Sequence, residues 1–181
     1  MKKIVLSFLL FVALCIAPTQ TVGAADSGWI VSCNYSHSLP DDPIVSPSQP
    51  GGSHLHDFVG ATTTNAASTG DSLLAGGTTC LVPGDKSAYW VPTLYTANGQ
   101  AVGYDDVKFY YIADATIPSN IEPFPLGLRV IAGDARATGP LTNSHIKWSC
   151  LGAGGAVSSN NGPVVCPVGH NLEVLLNFPD C

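Results

Sequence analysis

Short runs of β-forming residues, separated by turn residues, recur along the whole chain and constrain its fold more than any other feature. The clearest runs are residues 87–95, 107–112 and 172–178, which are rich in apolar and aromatic side chains. Glycine, proline, serine, threonine and asparagine are plentiful between the runs, which is typical of strands joined by turns. About eight strands at this spacing predict an all-β domain, a jelly-roll-like β-sandwich with long loops and at most one or two short helices.

Residues 1–25 have the form of a secretory signal peptide. Lys2 and Lys3 precede an apolar run at 4–17, and small residues at 22–25 offer a cleavage site. The run is too short and wrongly flanked for a stable membrane span. We therefore expect a secreted protein that is not inserted in a membrane after cleavage, with residues 26–181 forming a single β domain.

The charge of the mature chain argues against two classes of partner. Without the leader, the chain carries five lysines and arginines against thirteen aspartates and glutamates, which is a net charge of −8 with neutral histidines. Nucleic acids and anionic membranes are bound through basic patches. The composition therefore disfavours both as partners.

The mature chain has an odd number of cysteines, at positions 33, 80, 150, 166 and 181. An exported chain permits disulfides. We predict that Cys33 pairs with Cys80 and ties the first strand to the third, and that Cys150 pairs with Cys166 and closes a loop rich in glycine, serine and asparagine. Cys181, the last residue, is then left without a partner in this chain.

Residues 50–60 concentrate the groups most able to do chemistry. In a regular strand, His54 and His56 share one face with Phe58, whereas Asp57 lies on the other face. Two imidazoles arranged in this way can bind one divalent metal ion when a third ligand comes from elsewhere. The alternative is a half-buried strand whose histidines hydrogen-bond to their neighbours.

Two acids precede this stretch in a segment with four prolines between Pro40 and Pro50. We expect Asp41 and Asp42 to border a polar cleft with the histidines, because only a few residues separate the two segments. There they are candidates for contact with a ligand or a cation. Solvated turn acids are the interpretation we favour, since aspartate is a common turn former.

Three further segments carry candidate ligand-binding residues. Exposed aromatic rings such as Tyr89 and Trp90 can stack on sugars, although packing is the commoner role of aromatics in strands. Residues 128–132 are predicted to form a buried strand, in which Arg129 needs an anionic partner, either a structural acid, which we favour, or a substrate carboxylate. Asp134 lies between the only two arginines of the chain.

Two local predictions concern the middle of the chain. Residues 68–76 are expected to form the one helix, with Ser68 as its N-cap and Gly76 as its end. Asn98 and Gly99 mark a turn after which the run 107–112 returns as the hairpin partner of the run 87–95.

The order of several separate motifs resembles a family of secreted domains of unknown function from bacteria and fungi, whose fungal members are often joined to cysteine-rich WSC wall-sensor modules. The motifs cover nearly the whole mature chain and are residues 41–45, 52–58, 79–80, 87–92, 123–129, 132–135, 148–150 and 177–181. Family members continue beyond the Phe-Pro-Asp-Cys motif, which implies that this chain is incomplete at its C-terminus. The association with wall modules implies a role that faces polysaccharide.

Three functions are consistent with these patterns. The first is an extracellular binding module for polysaccharide or cell-wall material that uses Trp90 or Tyr89. The second is a carbohydrate-active hydrolase or lyase in which His54 and His56 hold a metal or act as acid and base, Asp57 orients a histidine and Arg129 neutralises a uronate. The sequence lacks Gly-x-Ser-x-Gly, His-Glu-x-x-His and a paired-acid signature, which lowers the case for an enzyme. The third is a structural envelope domain.

Overall fold

A computed structural model describes residues 28–104, 107–112, 122–134, 136–139, 146–153 and 157–178. These residues contain eight strands and one short helix, which confirms the predicted all-β class. The elements are β1 (Gly28–Cys33), β2 (Tyr35–Leu39), β3 (His56–Gly60), α1 (Gly70–Leu74), β4 (Ala88–Pro92), β5 (Val107–Ile112), β6 (Ile146–Leu151), β7 (Ser158–Ser159) and β8 (Asn171–Leu176). The predicted signal peptide and Cys181 lie outside the described residues.

The strands form three small antiparallel sheets. In the first sheet, β1 pairs with β5. In the second, β2, β3 and β4 form a meander in that order. In the third, β6 lies between β7 and β8. A jelly roll distributes eight strands over two sheets. In the described part of the chain the same number of strands is divided among three sheets of two, three and three strands.

The first two sheets enclose a common core. Val31 and Cys33 of β1 and Val59 of β3 are buried together with Cys80, and side chains of β4 and β5 pack against them. Burial alternates along β5, so that Val107, Phe109 and Tyr111 share its inner face. The alternation follows from the two-residue period of a strand, and it sets one sheet against the other.

Both predicted disulfides are present. Cys33 is bonded to Cys80 at 2.03 Å and Cys150 is bonded to Cys166 at 2.00 Å. The first bond joins the end of β1 to residues 78–80. These residues form isolated bridges with Cys33 and Ala61 in place of the third strand that was predicted to carry Cys80. The first bond therefore links the two sheets that share the core.

The predicted hairpin between β4 and β5 is wrong. A turn does form at Gly99, with the Thr96 amide donating to the Gln100 carbonyl, but β5 pairs with β1. This pairing places Phe109 across the core from Tyr89, with ring centroids 3.5 Å apart. Stacking of these two rings contributes to the packing of one sheet against the other.

The predicted buried strand at 128–132 is also wrong. The segment is not part of a strand, and Leu128, Val130 and Ile131 are exposed by 49%, 38% and 45%. Gly127 and Gly133 on either side have φ values of 80° and 92°, which turn the chain sharply. Apolar composition alone does not make a strand where flanking residues prevent regular pairing.

The single helix begins one residue later than predicted. Thr69, not Ser68, is the N-cap; its side chain accepts from the Ser72 amide, while the Ser72 side chain accepts from the Thr69 amide. This reciprocal pair is a capping box. None of the helices among the described residues has the length and apolar character needed to span a bilayer.

Candidate functional sites

His54 and His56 lie side by side at the start of β3 but differ in environment. His56 is the first residue of the strand and is 4% exposed, whereas His54 precedes the strand and is exposed. Their ring centroids are 4.3 Å apart, with the planes inclined by 51°. The pair therefore has one inner and one outer imidazole rather than two equivalent positions on a regular strand.

The hydrogen bonding of His56 defines its tautomer. Its Nδ1 lies 2.9 Å from the Asp41 carbonyl oxygen, which only accepts, so Nδ1 carries a proton. In the neutral ring Nε2 is then an unprotonated acceptor, and it lies 4.0 Å from Asp42 Oδ2. Burial lowers the pKa of His56 below 6.5; the Asp41 bond opposes this, and the neighbouring His54 adds to it.

Asp41 is a buried acid whose carboxylate ties two loops together. Its Oδ1 accepts from the Gly51 amide at 2.8 Å and its Oδ2 accepts from the Ala66 amide at 2.9 Å. The residue is only 6% exposed. The expectation of a solvated turn acid is therefore wrong, because Asp41 is buried and both of its carboxylate oxygens accept hydrogen bonds from backbone amides.

Asp42 is equally buried, at 7% exposure, and organises the turn that follows it. Its Oδ1 accepts from the amides of Ile44 and Val45, both at 2.8 Å. Its Oδ2 accepts from Trp90 Nε1 at 3.3 Å and faces His56 Nε2. The predicted proximity of this loop to the histidines is therefore present in the structure, as a set of buried contacts.

Trp90 and Phe58 form the apolar side of the same site. Phe58 is completely buried and lies opposite Trp90 in the register of β3 and β4, with ring centroids 5.9 Å apart. A further histidine, His37, stacks on Phe58 at 5.0 Å, and its Nε2 is 2.8 Å from the Thr64 carbonyl oxygen. Trp90 is half-buried, so it is less accessible than an exposed sugar-binding ring would be.

Asp57 lies on the opposite face of β3, as strand alternation predicts. It is 4% exposed and accepts three hydroxyl hydrogen bonds, from Ser38 at 2.5 Å, Thr93 at 2.8 Å and Tyr104 at 3.2 Å. Burial, reinforced by the Asp57 charge, raises the pKa of Tyr104. The hydrogen bonds to this carboxylate come from these hydroxyl groups and not from His54 or His56.

Arg129 and Asp134 have different hydrogen-bond partners. Arg129 is exposed, and its Nη1 donates to the Pro43 carbonyl oxygen at 3.3 Å, which places it beside the Asp42 turn. Arg129 thus donates to a backbone carbonyl, whereas the sequence predicted a carboxylate as its partner. Asp134 is exposed and accepts from the Arg136 amide at 2.8 Å within its own turn.

Tyr89 belongs to the core between the sheets. It is half-buried and stacked on Phe109; its hydroxyl donates to Asp85 at 3.0 Å and lies 2.5 Å from the Tyr111 hydroxyl. Burial raises the pKa of both Tyr89 and Tyr111. The expected exposed ring is therefore a packed one.

The structure reveals an exposed aromatic surface that the sequence did not indicate. Trp29, 50% exposed, stacks on Tyr111 with centroids 4.9 Å apart and planes inclined by 17°. Phe124, 63% exposed, lies 6.0 Å from Tyr111 on centroids. We call Trp29, Tyr111 and Phe124 the aromatic platform. One feature of the sequence is consistent with the exposure of Phe124: it lies between two prolines, which do not occur in a central strand.

Metal-ligating atoms converge closely at one place in the described residues. Sulfur atoms of Cys33 and Cys80 and a carboxylate oxygen of Asp85 lie within 4.8 Å of one another. The two sulfurs are bonded to each other, so they are not thiolates that can ligate a metal. No choice of one atom each from His54, His56 and Asp42 meets the same 4.8 Å limit in the described conformation.

Comparison with known proteins identifies one relationship. A family model described as a domain of unknown function, DUF1996, matches residues 42–181. The match covers the histidine pair, Asp42 and Phe124 of the aromatic platform, but not Trp29. No curated protein and no solved structure matches the chain.

Proposed function

The chain belongs to the DUF1996 family of domains of unknown function, and from its geometry we propose that it is a secreted module that binds polysaccharide or cell-wall material. The observation that carries this proposal is the aromatic platform, in which two strongly exposed rings each contact a third, Trp29 by stacking and Phe124 at an interplanar angle of 49°. Large exposed apolar surfaces on a small domain commonly serve binding. The apolar C–H face of a pyranose ring is a ligand surface that fits flat, exposed rings.

The platform is also supported from beneath. The hydroxyl of Tyr111 lies 2.5 Å from that of Tyr89, and Tyr89 in turn donates to Asp85 and stacks on Phe109. Rings held in this way lose little conformational freedom when a ligand binds, which favours affinity. The two disulfides are consistent with an oxidising, extracellular compartment.

The test is a pull-down of the full mature protein with insoluble chitin, cellulose and β-1,3-glucan. We expect binding to at least one, and Trp29→Ala to weaken it by about 5- to 10-fold, the equivalent of one lost aromatic stacking contact. Tyr95→Ala is the matched control, because Tyr95 is also 50% exposed. The proposal fails if the wild type binds none of the three, or if both variants bind as the wild type does.

A carbohydrate-active enzyme is the second candidate, and one observation favours it. The bond from His56 Nδ1 to the Asp41 carbonyl leaves Nε2 as the acceptor, the form that a general base or a metal ligand requires. Arg129 lies beside the same loop and offers a positive charge for a uronate substrate.

The enzyme candidate is tested by release of new reducing ends or unsaturated products from the same polysaccharides and from a uronate polymer. Turnover by the wild type that His56→Gln abolishes would support it. His170→Gln is the matched control, since His170 Nδ1 is likewise 3.0 Å from a backbone carbonyl, that of Leu151. Neither binding nor turnover would leave the structural envelope domain as the function.

A further inference from the structure

A space between His56 and Asp42 has the dimensions of a bridged ion. His56 Nε2 and Asp42 Oδ2 are 4.0 Å apart, which is too long for a direct hydrogen bond. Divalent transition metals bind imidazole nitrogen and carboxylate oxygen at about 2.0–2.2 Å, so two ligand atoms on one ion are about 3.4 Å apart at the tetrahedral angle and at most about 4.3 Å apart when they lie opposite each other. The observed distance lies between these two values, so the two side chains have to approach each other by about 0.6 Å to reach tetrahedral geometry.

His56 is already oriented as a metal ligand. Its Nδ1–H donates to the Asp41 carbonyl, which fixes the ring and directs the Nε2 lone pair away from that carbonyl. Metal-ligating histidines ordinarily make this kind of bond through their second nitrogen. Asp41 supplies the bond through its backbone while its carboxylate is engaged by the Gly51 and Ala66 amides.

Asp42 is oriented to match. Two backbone amides hold Oδ1, and the indole N–H of Trp90 holds Oδ2 at 3.3 Å, which leaves that oxygen facing His56. With neutral His56, an acceptor nitrogen faces an acceptor oxygen and no proton lies between them. A cation in this space would satisfy both groups at once.

We propose that His56, Asp42 and His54 form a site for a divalent transition-metal ion such as Zn²⁺. His54 is exposed, and its ring centroid is 4.3 Å from that of His56. A ring nitrogen of His54 has to move closer to His56 Nε2 and Asp42 Oδ2 before all three can bind one ion. This movement costs little, because an exposed side chain just before a strand can rotate. This assigns the third ligand to Asp42, on the loop before the histidines, and the role of holding that ligand to Trp90.

Charge and ligand type define the ion. Asp42 and the backbone carbonyl of Asp41 surround His56 on one side, and the buried Asp57 carboxylate lies on the other face of the strand. Arg129 is a positive side chain beside this loop, and it donates a hydrogen bond to the Pro43 carbonyl. Two imidazoles with one carboxylate suit Zn²⁺ or Cu²⁺, whereas Ca²⁺ and Mg²⁺ prefer oxygen ligands alone.

The test is calorimetric titration of Zn²⁺ into mature protein that has been treated with a chelator and dialysed. We expect saturable binding of one ion per chain and a rise in the melting temperature with added Zn²⁺, because an ion that binds the folded state stabilises it. Ca²⁺ should produce neither effect. No polysaccharide is present, so failure here leaves the proposed binding function untouched, and failure of that function leaves this test unaffected.

His54→Ala is the decisive variant, because His54 is exposed and we expect its truncation to leave the fold intact, which circular dichroism checks. We expect the affinity for Zn²⁺ to fall by about 10- to 100-fold. His170→Ala, which removes the histidine just before β8, should bind as the wild type does. Absence of saturable Zn²⁺ binding by the wild type, or equal affinity in the wild type and His54→Ala, would overturn the proposal.

Discussion

Asp57 illustrates how one carboxylate can determine the position of several segments. It is buried in β3 and draws hydroxyl groups from Ser38 in β2, from Thr93 after β4 and from Tyr104 further along the chain. Hydrogen bonds to a charged acceptor are stronger than those between neutral groups. The acid that the sequence suggests as a helper of the histidines is better explained as a structural centre behind them.

Replacing Asp57 with alanine should therefore be costly. Three hydroxyl donors lose their acceptor, and we expect a loss of about 2–4 kcal/mol in the free energy of unfolding, measured by urea denaturation. Asp71→Ala is the control, because Asp71 is exposed in the first turn of α1 and its loss should cost less than about 1 kcal/mol. Equal losses in the two variants would contradict this role for Asp57.

At the scale of elements, the two disulfides constrain different lengths of chain. Cys33 and Cys80 are 47 residues apart and join two sheets, whereas Cys150 and Cys166 are 16 residues apart and close a loop beside β6. In the chain-entropy model, a longer closed loop restricts the unfolded chain more strongly. The first bond should therefore stabilise the fold more than the second.

The comparison can be made with paired cysteine-to-alanine variants. The chain-entropy model gives a stabilisation of about 4 kcal/mol for the Cys33–Cys80 bond and about 3 kcal/mol for the Cys150–Cys166 bond. We expect Cys33→Ala with Cys80→Ala to lower the denaturation midpoint more than Cys150→Ala with Cys166→Ala. A larger fall in the denaturation midpoint for the Cys150→Ala, Cys166→Ala variant would contradict this expectation and show that the bond closing the shorter loop stabilises the fold more.

At the scale of the whole molecule, tyrosines hold the interior between the facing sheets. Burial raises the pKa of Tyr89 and Tyr111 above the ordinary value of 10.0. The folded protein consequently keeps protons that the unfolded chain releases near pH 10. Their contribution to stability is complete below that pH and is lost as the pH rises through the folded-state values.

We therefore expect the melting temperature to fall steeply in the alkaline range above about pH 10. The ultraviolet absorbance of phenolate should show a late group of tyrosines that ionise together with unfolding. A Tyr89→Phe, Tyr111→Phe variant should show a shallower alkaline loss. Titration of every tyrosine near pH 10 in protein that stays folded would contradict the expectation.

Local patterns in the sequence were sufficient for some features and not for others. Alternation and turn residues located most strands, and the positions of Cys33, Cys80, Cys150 and Cys166 sufficed for both disulfides. The partner of β5 was missed because sheet pairing is decided by packing across the core. The burial of Asp41 and Asp42 was missed because their bonding partners are backbone amides and an indole, whose positions only the folded chain defines.

The pairing of β1 with β5 bears on how fragments of this protein should be chosen. The family match begins at residue 42, after both β1 and β2. A recombinant fragment cut at that residue would leave β5 and one edge of β3 without their neighbours, and the Cys80 thiol without its partner. Unpaired strand edges promote aggregation. We therefore expect a fragment that folds to start at or before Gly28, so that it keeps β1 and β2.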